Sequence, residues 1–332
     1  MRPVECRDRP HALAWLVNET TLLTPTRVAA FRSWVRRHPT AVSVAGSLVV
    51  AGALAVALAG KGDEFVGALG SAPLWVLGAA IALHVFWLVA RSEAWSVCIG
   101  AAGGSVTRRR LYRASSVGYL GNIVNGQFGL AVRIAALRRS APADSPRAHV
   151  LVAAELPVVV VEAALAAICS FTLVGPLGLP WWVPLVGFGA MAAVIAGLQR
   201  IAHHRREGFW SGLAVLRGLR GRSRIIALVC VAVVLQIVRN WLLLNWSGVD
   251  ASILDATALL IGLAVIGLLP VGPSLGAAAT VLILGTNGVA ASAAAGALLT
   301  ATAAVGAVCF ASWAVVDRLW RPARAARPAT AI

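Results

Sequence analysis

Six stretches of this chain stay apolar for long enough to cross a lipid bilayer, which takes about 20 residues of helix. They cover residues 41–59, 74–100, 149–174, 181–198, 225–244 and 289–314. Two further apolar stretches, 111–137 and 256–284, are interrupted in the middle by NGQFG and LLPVGPSLG. In hydrocarbon every backbone N–H and C=O must find a partner within the protein, so continuous apolar runs of this kind fold as helices. An interruption is tolerated only where protein or water surrounds it. The expected fold is therefore all-α, a polytopic membrane helix bundle. The composition agrees: 59% of the residues are hydrophobic and 13% charged, where a soluble domain carries roughly 25% charged residues.

The net charge of +16 would suit a nucleic-acid ligand, but its placement argues against one. If neither interrupted stretch crosses, 27 of the 28 arginines fall in four regions on one side: the N-terminal segment, 91–147, 199–224 and the C-terminal tail. The remaining one, Arg239, lies inside a span. The other side holds Lys61, Asp63, Glu64, Asp250 and Asp255. Cytoplasmic loops carry the arginine and lysine excess, and letting the first interrupted stretch cross would move the arginines of 199–224 outside. The reading is about six full spans with both termini cytoplasmic, plus two re-entrant broken-helix hairpins. Three full spans separate the hairpins, so they enter from opposite faces, an inverted-repeat-like arrangement with its site near the midplane. Residues 1–40 form a basic cytoplasmic segment, 41–318 the membrane domain and 319–332 a basic cytoplasmic tail. The near absence of lysine, with abundant Ala, Gly and Val, points to a GC-rich bacterial source and hence to the bacterial inner membrane. An uncleaved first span is expected rather than a signal peptide. Trp75, Trp181, Trp182, Trp246 and Trp320 fall near span ends, as interfacial anchors do.

Ionisable and amide side chains inside the spans are expensive and few, so each is a candidate site residue. Arg133 follows the first interruption, with Asn122, Asn125 and Gln127 within or beside it. Glu155 and Glu162 are seven apart and share a helix face. Gln236, Arg239 and Asn240 share another. Arg91 and Glu93 are placed nearer the cytoplasmic interface. The two glutamates with Arg133 and Arg239 make a neutral set, which fits either ion pairs that hold the bundle or a polar cavity for a charged group. In the second interruption Pro270, Gly272 and Pro273 break the helix, Ser274 follows, and Gly276 opens a new one. A helix N-terminus directed at the midplane attracts an anion; a structural proline kink is the other reading. The two turns are expected to meet, with Asn122, Asn125 and Gln127 reaching the backbone freed around Pro270 to Gly276. His84 reads as a packed core histidine. Residues 202–224 carry Phe209, Leu213 and Leu216 among arginines, which fits either an interfacial helix on anionic lipid or a solvated loop.

The five cysteines, Cys6, Cys98, Cys169, Cys230 and Cys309, are widely spaced and suit no disulfide or metal framework. No nucleotide-binding loop, metalloprotease or serine-hydrolase motif occurs. No catalytic residue, metal or cofactor is expected, and no nucleic-acid partner.

At the two interruptions the chain resembles a known family, the transmembrane region of lysylphosphatidylglycerol synthases, a flippase-like domain also found as a stand-alone protein. That family has a first polar turn with Asn, a following Pro, Gly-Glu and Arg; NIVNGQFGLAVR supplies Asn122, Gly129 and Arg133. Its second turn is Pro-x-x-Pro-Gly-Gly-x-Gly; PVGPSLG supplies Pro270, Pro273 and Gly276. Asn125 stands where the family has proline and Leu130 where it has glutamate, and Ala277, Ala278 and Ala279 stand where a second glutamate is expected. No synthase domain accompanies the spans, so aminoacyl transfer is not expected. The resemblance implies a protein that binds, and translocates, an anionic lipid or lipid-linked intermediate. A non-transporting scaffold subunit of a lipid or cell-envelope enzyme and a small-solute transporter with proton-carrying glutamates remain alternatives.

Overall fold

The computed structural model describes residues 39–325 apart from 125, 206, 267–274 and 286–287. The regular elements among them are helices. α1 (Pro39–Ala57) and the short α2 (Gly62–Gly70) lead into α3 (Leu74–Ala101). Then come α4 (Arg108–Val124) and α5 (Gly126–Ser140). α6 (Ala148–Ala153) and α7 (Leu156–Cys169) continue through a 3-10 turn, Ser170–Leu173, into α8 (Val174–Leu177). α9 (Trp182–His204) precedes a 3-10 segment, Gly208–Arg217. α10 (Leu219–Trp246), α11 (Ile253–Ile266), α12 (Leu275–Leu284) and α13 (Val289–Ala325) complete the bundle.

Among the described residues, five helical stretches are long and apolar enough to cross a membrane: Leu74–Ala101, Ala148–Leu173, Trp182–His204, Arg220–Trp246 and Val289–Arg318. They coincide with five of the six uninterrupted runs. The sixth, residues 41–59, coincides with α1, whose described apolar part is Leu48–Ala57. The Trp75, Trp181, Trp182 and Trp246 side chains are exposed at helix ends, where anchors belong. Trp320 lies on α13, and its side chain is outside the described residues.

The two interrupted stretches form helix pairs. One residue separates α4 from α5, and the two pack along their lengths. Glycines set the approach. A Cβ on Gly118 would lie 2.6 Å from the Arg133 Cβ and 2.8 Å from the Gly129 oxygen, and one on Gly121 would lie 3.4 Å from the Gly129 Cα. As one index rises the other falls, so the arms run antiparallel. α11 and α12 also pack together, with Ile283 filling the space beside Gly262. α12 lies against α13 through Gly296, where a Cβ would meet the Ala277 Cα at 2.5 Å. Small residues let helix backbones approach where lipid offers no hydrophobic drive to pack.

The run over 149–174 is not one regular helix. It breaks at Ala154 and Glu155, because Pro157 has no N–H to give to the preceding turn. The 3-10 segment crosses at this break. A Cβ on Gly212 would lie 2.6 Å from both the Val150 oxygen and the Ala153 Cβ. Leu213 and Val215 are buried, and Leu216 packs on the same cluster. The segment is a 3-10 turn rather than the expected helix, with Leu213 and Val215 against protein and Phe209 and Trp210 half-exposed, and Arg217 caps the end of α9 by donating from Nε to the Ala202 carbonyl at 2.7 Å.

Two apolar cores result. One holds Val76 and Ala80 of α3 with Leu243 and Leu244 of α10 and much of α11 to α13. The other holds Ala94 to Ile99 of α3, Ile225 and Val229 of α10, and parts of α4 to α7. Where α3 and α10 pass from one core to the other, the polar side chains gather: His84 and Arg91 on α3, and Gln236, Arg239 and Asn240 on α10.

Candidate functional site

Between the cores lies a cavity of about 560 Å³. α3 gives it His84, Trp87 and Arg91, and α4 gives Tyr119 and Asn122. α7 gives Glu162 and Cys169, α10 gives Gln236, Arg239 and Asn240, α12 gives Gly276 and α13 gives Thr300. The remaining wall is mostly leucine and alanine. Two groups of charged side chains stand in or beside it, and they are built differently.

The first group is a chain of alternating charge. Arg133 on α5 is 4% exposed. Its Nη2 bonds to Glu155 Oε2, and its guanidinium lies 3.9 Å from the centre of the Trp95 ring, a cation–π contact. Arg91 Nη2 lies 3.3 Å from the other Glu155 oxygen, and Arg91 Nη1 bonds to Glu162. The order is Arg133, Glu155, Arg91, Glu162, with net charge zero. Glu155 sits at the helix break and Glu162 two turns on, so one guanidinium spans both, as their shared face predicts. The expected neutral set is thereby corrected. Arg91, not Arg239, is the second cation, and it lines the cavity. Glu93 does lie nearer the arginine-rich end, accepting from the Tyr112 hydroxyl.

The second group centres on Arg239, which is 5% exposed. Its partners are neutral. Nη2 donates to the Leu299 carbonyl and to Thr302 Oγ1 at 2.9 Å, and Nη1 donates to Gln236 Oε1 at 3.0 Å. Among the described residues no carboxylate lies within ion-pair distance of it. The Gln236 amide nitrogen and Arg239 Nη1 both face His84 Nδ1, at 3.3 and 3.4 Å. Both are donors, so Nδ1 accepts, and the ring is neutral with its proton on Nε2. His84 is thus a hydrogen-bonded core residue that also lines the cavity. Among the described residues, Arg239 Nε and Asn240 Nδ2 are buried without a partner, and Asn240 is only 2% exposed. Donor capacity is thus left over beside Arg239.

Among the residues singled out from the sequence, Asn122, Glu162, Gln236, Arg239, Asn240 and Gly276 line the one cavity. Arg133 and Glu155 do not line it; they brace Arg91, which does. Asn125, Pro270, Pro273 and Ser274 lie outside the described residues. Gln127 is on the first turn of α5, and its side chain is likewise outside them. Of the expected meeting of the two turns, the described part is that Asn122 and Gly276 share this cavity; Asn122 also leans over Gly129. The sequence reading missed Trp87, Tyr119 and Thr302, and underrated His84 and Arg91. A signal was present on α3, because positions 84, 87, 88 and 91 have the spacing of a single helix face. Thr302 is legible only once α13 is laid against α10.

No curated protein matches the chain significantly. The sequence model of the family described as lysylphosphatidylglycerol synthase TM region matches residues 43–312, which takes in the helices that build the cavity, and the chain belongs to that family.

Proposed function

We propose that this protein is a multi-pass protein of the bacterial inner membrane that takes the headgroup of an anionic lipid, or of a lipid-linked intermediate, into the central cavity and passes it across the bilayer. The observation that carries this reading is Arg239, a buried cation on the cavity wall whose partners are all neutral. A cation in a low-dielectric interior is expensive unless paired, and a ligand anion supplies the missing charge. The leftover N–H donors at Arg239 and Asn240 suit an acceptor-only group such as a phosphate. The leucine and alanine wall accommodates apolar chains beside it. α4 with α5, and α11 with α12, act as re-entrant hairpins entering from opposite faces, with both termini and the arginine clusters in the cytoplasm. The ligand is moved, not chemically changed.

Lipids co-purified with the protein test this directly by mass spectrometry. Wild-type protein should retain anionic phospholipid in excess over the bulk membrane, and Arg239→Gln should lose that excess. Identical lipid profiles for the two proteins would sink the reading. The same pair in reconstituted vesicles, with a fluorescent anionic lipid and an impermeant quencher, reports translocation.

A further inference from the structure

We propose that the seam between α4 and α13 is a gate that closes the cavity toward the arginine-rich end of the bundle, with Tyr119 and Phe310 as its plug and the Arg113–Asp317 pair as its latch. This rests on the reading that the cavity takes a ligand.

The floor of the cavity on that side is a small cluster of its own, in which Leu88, Tyr119, Ala307 and Phe310 are all buried. The Tyr119 and Phe310 ring centres are 6.2 Å apart. Phe310 is followed outward by Trp313, stacked at 6.0 Å, and Tyr112 stands 6.1 Å from Trp313. Beyond these rings Arg113 reaches across from α4 to α13. Its Nη2 and Nε donate to Asp317 Oδ2 at 2.6 and 3.0 Å, and Nη2 donates also to the Asp317 carbonyl at 3.0 Å. Any route from the arginine-rich face to Arg91 along this seam passes the latch and then the rings.

This seam is built to part, and its neighbours are not. α4 meets α5, α12 meets α13 and α3 meets α13 at glycines where an added Cβ would sit within 3 Å of the facing helix, at Gly118, Gly296 and Gly306. Close approach of this kind locks helices together, because packed backbones do not deform continuously. Among the described glycines none makes such an approach between α4 and α13, where the contacts include edge-on and tilted aromatic rings and the Arg113–Asp317 pair. The loops that bracket the hairpin are tied to each other, with the Ser105 N–H donating to the Asp144 carbonyl at 3.0 Å and Arg110 paired with Asp144 at 2.7 Å. α4 and α5 therefore move as one body. Tyr112 holds that body to Glu93 of α3, which leaves the α13 side as the one that opens. A rigid hairpin swinging from such a contact is an ordinary hinge motion.

The test places a reporter on the cavity floor. Ala307→Cys is made in the full-length protein with its native cysteines, in vesicles oriented with the arginine-rich face outward. An impermeant thiol reagent is added, and adducts at position 307 are quantified by peptide mass spectrometry. The parent should be protected there. Arg113→Glu should raise the labelling rate about tenfold, the population shift expected when one partly buried ion pair is lost. The swap Arg113→Glu with Asp317→Arg should restore protection. The gate is overturned by rapid labelling in the parent, by an unchanged rate in Arg113→Glu, or by a folded swap that stays open. If Arg113→Glu has no melting transition, Phe310→Ala removes the plug without touching charge and must itself raise labelling. Retained anionic lipid is measured on the same samples. Its absence from the parent, with labelling behaving as stated, refutes the ligand reading and keeps the gate; a cavity that holds lipid yet never opens refutes the gate alone.

Discussion

Arg133 and Arg239 are both guanidinium groups buried in the middle of apolar helices, yet their surroundings are opposite. Arg133 has a carboxylate, an indole face and a chain of further ion pairs behind it. Arg239 has two carbonyl oxygens and a threonine hydroxyl. Each leaves its Nε without a partner among the described residues, but the first belongs to a set whose charges cancel. The second leaves a positive charge standing at the cavity wall. Two residues that look alike in the sequence are thus separated into framework and candidate ligand contact by what the other helices bring to them.

The comparison breaks most readily at Glu155. Glu155→Ala strands Arg133 and leaves Arg91 with Glu162 alone, and removing one member of a buried pair costs about 3–5 kcal/mol. Thermal unfolding in detergent should show the loss. Combining Arg133→Met with Glu155→Leu should cost clearly less than Glu155→Ala alone, since no buried cation of this set is then left without a carboxylate. If the double variant is no better, the chain is not the compensated unit described here.

Gly118 tests the seat of Arg133. An alanine there pushes against the Arg133 Cβ and the Gly129 oxygen, and overpacking of this kind costs about 1–3 kcal/mol. Melting temperature should fall with lipid retention per folded molecule unchanged. A fall in retention alone would mean that Arg133 is a ligand contact after all.

Arg239→Gln should do the reverse. Its stability should stay within about 1 kcal/mol of wild type, because an uncompensated charge is removed. Affinity for anionic lipid should drop about tenfold, equivalent to roughly 1.4 kcal/mol. A large melting shift with intact lipid binding would place Arg239 in the framework beside Arg133.

The smallest effect is expected at Thr302. Thr302→Val removes one neutral acceptor from Arg239 and should cost about 1 kcal/mol, measured as a modest melting shift. A neutral outcome would mean that the Leu299 carbonyl suffices to hold the guanidinium.

The helical membrane bundle was legible because span length is local and additive. Five of the expected spans stand as long helices, and the NGQFG interruption falls at the α4–α5 junction. Glu155 and Glu162 were placed on one face by spacing alone, and one arginine bridges them. Which arginine does so was not legible. Arg91 and Arg239 are on different helices, 148 positions apart in the chain, and only the packing of α3 beside α7 and α10 decides which of them meets a carboxylate. The 3-10 segment Gly208–Arg217 shows the same limit, since its apolar residues suit a lipid surface as well as the groove at the Ala154 break.

The sequence by itself determined the solvent this protein lives in, the class of its secondary structure and the short roster of polar residues set among apolar ones. Bilayer physics acts on each residue separately, so these properties can be read one stretch at a time. The tertiary structure decided the pairing within that roster. Charge compensation depends on a few ångströms between residues far apart in the chain, and that distance is set by glycine seams, by the break before Pro157 and by the way α3 and α10 pass each other between two apolar cores.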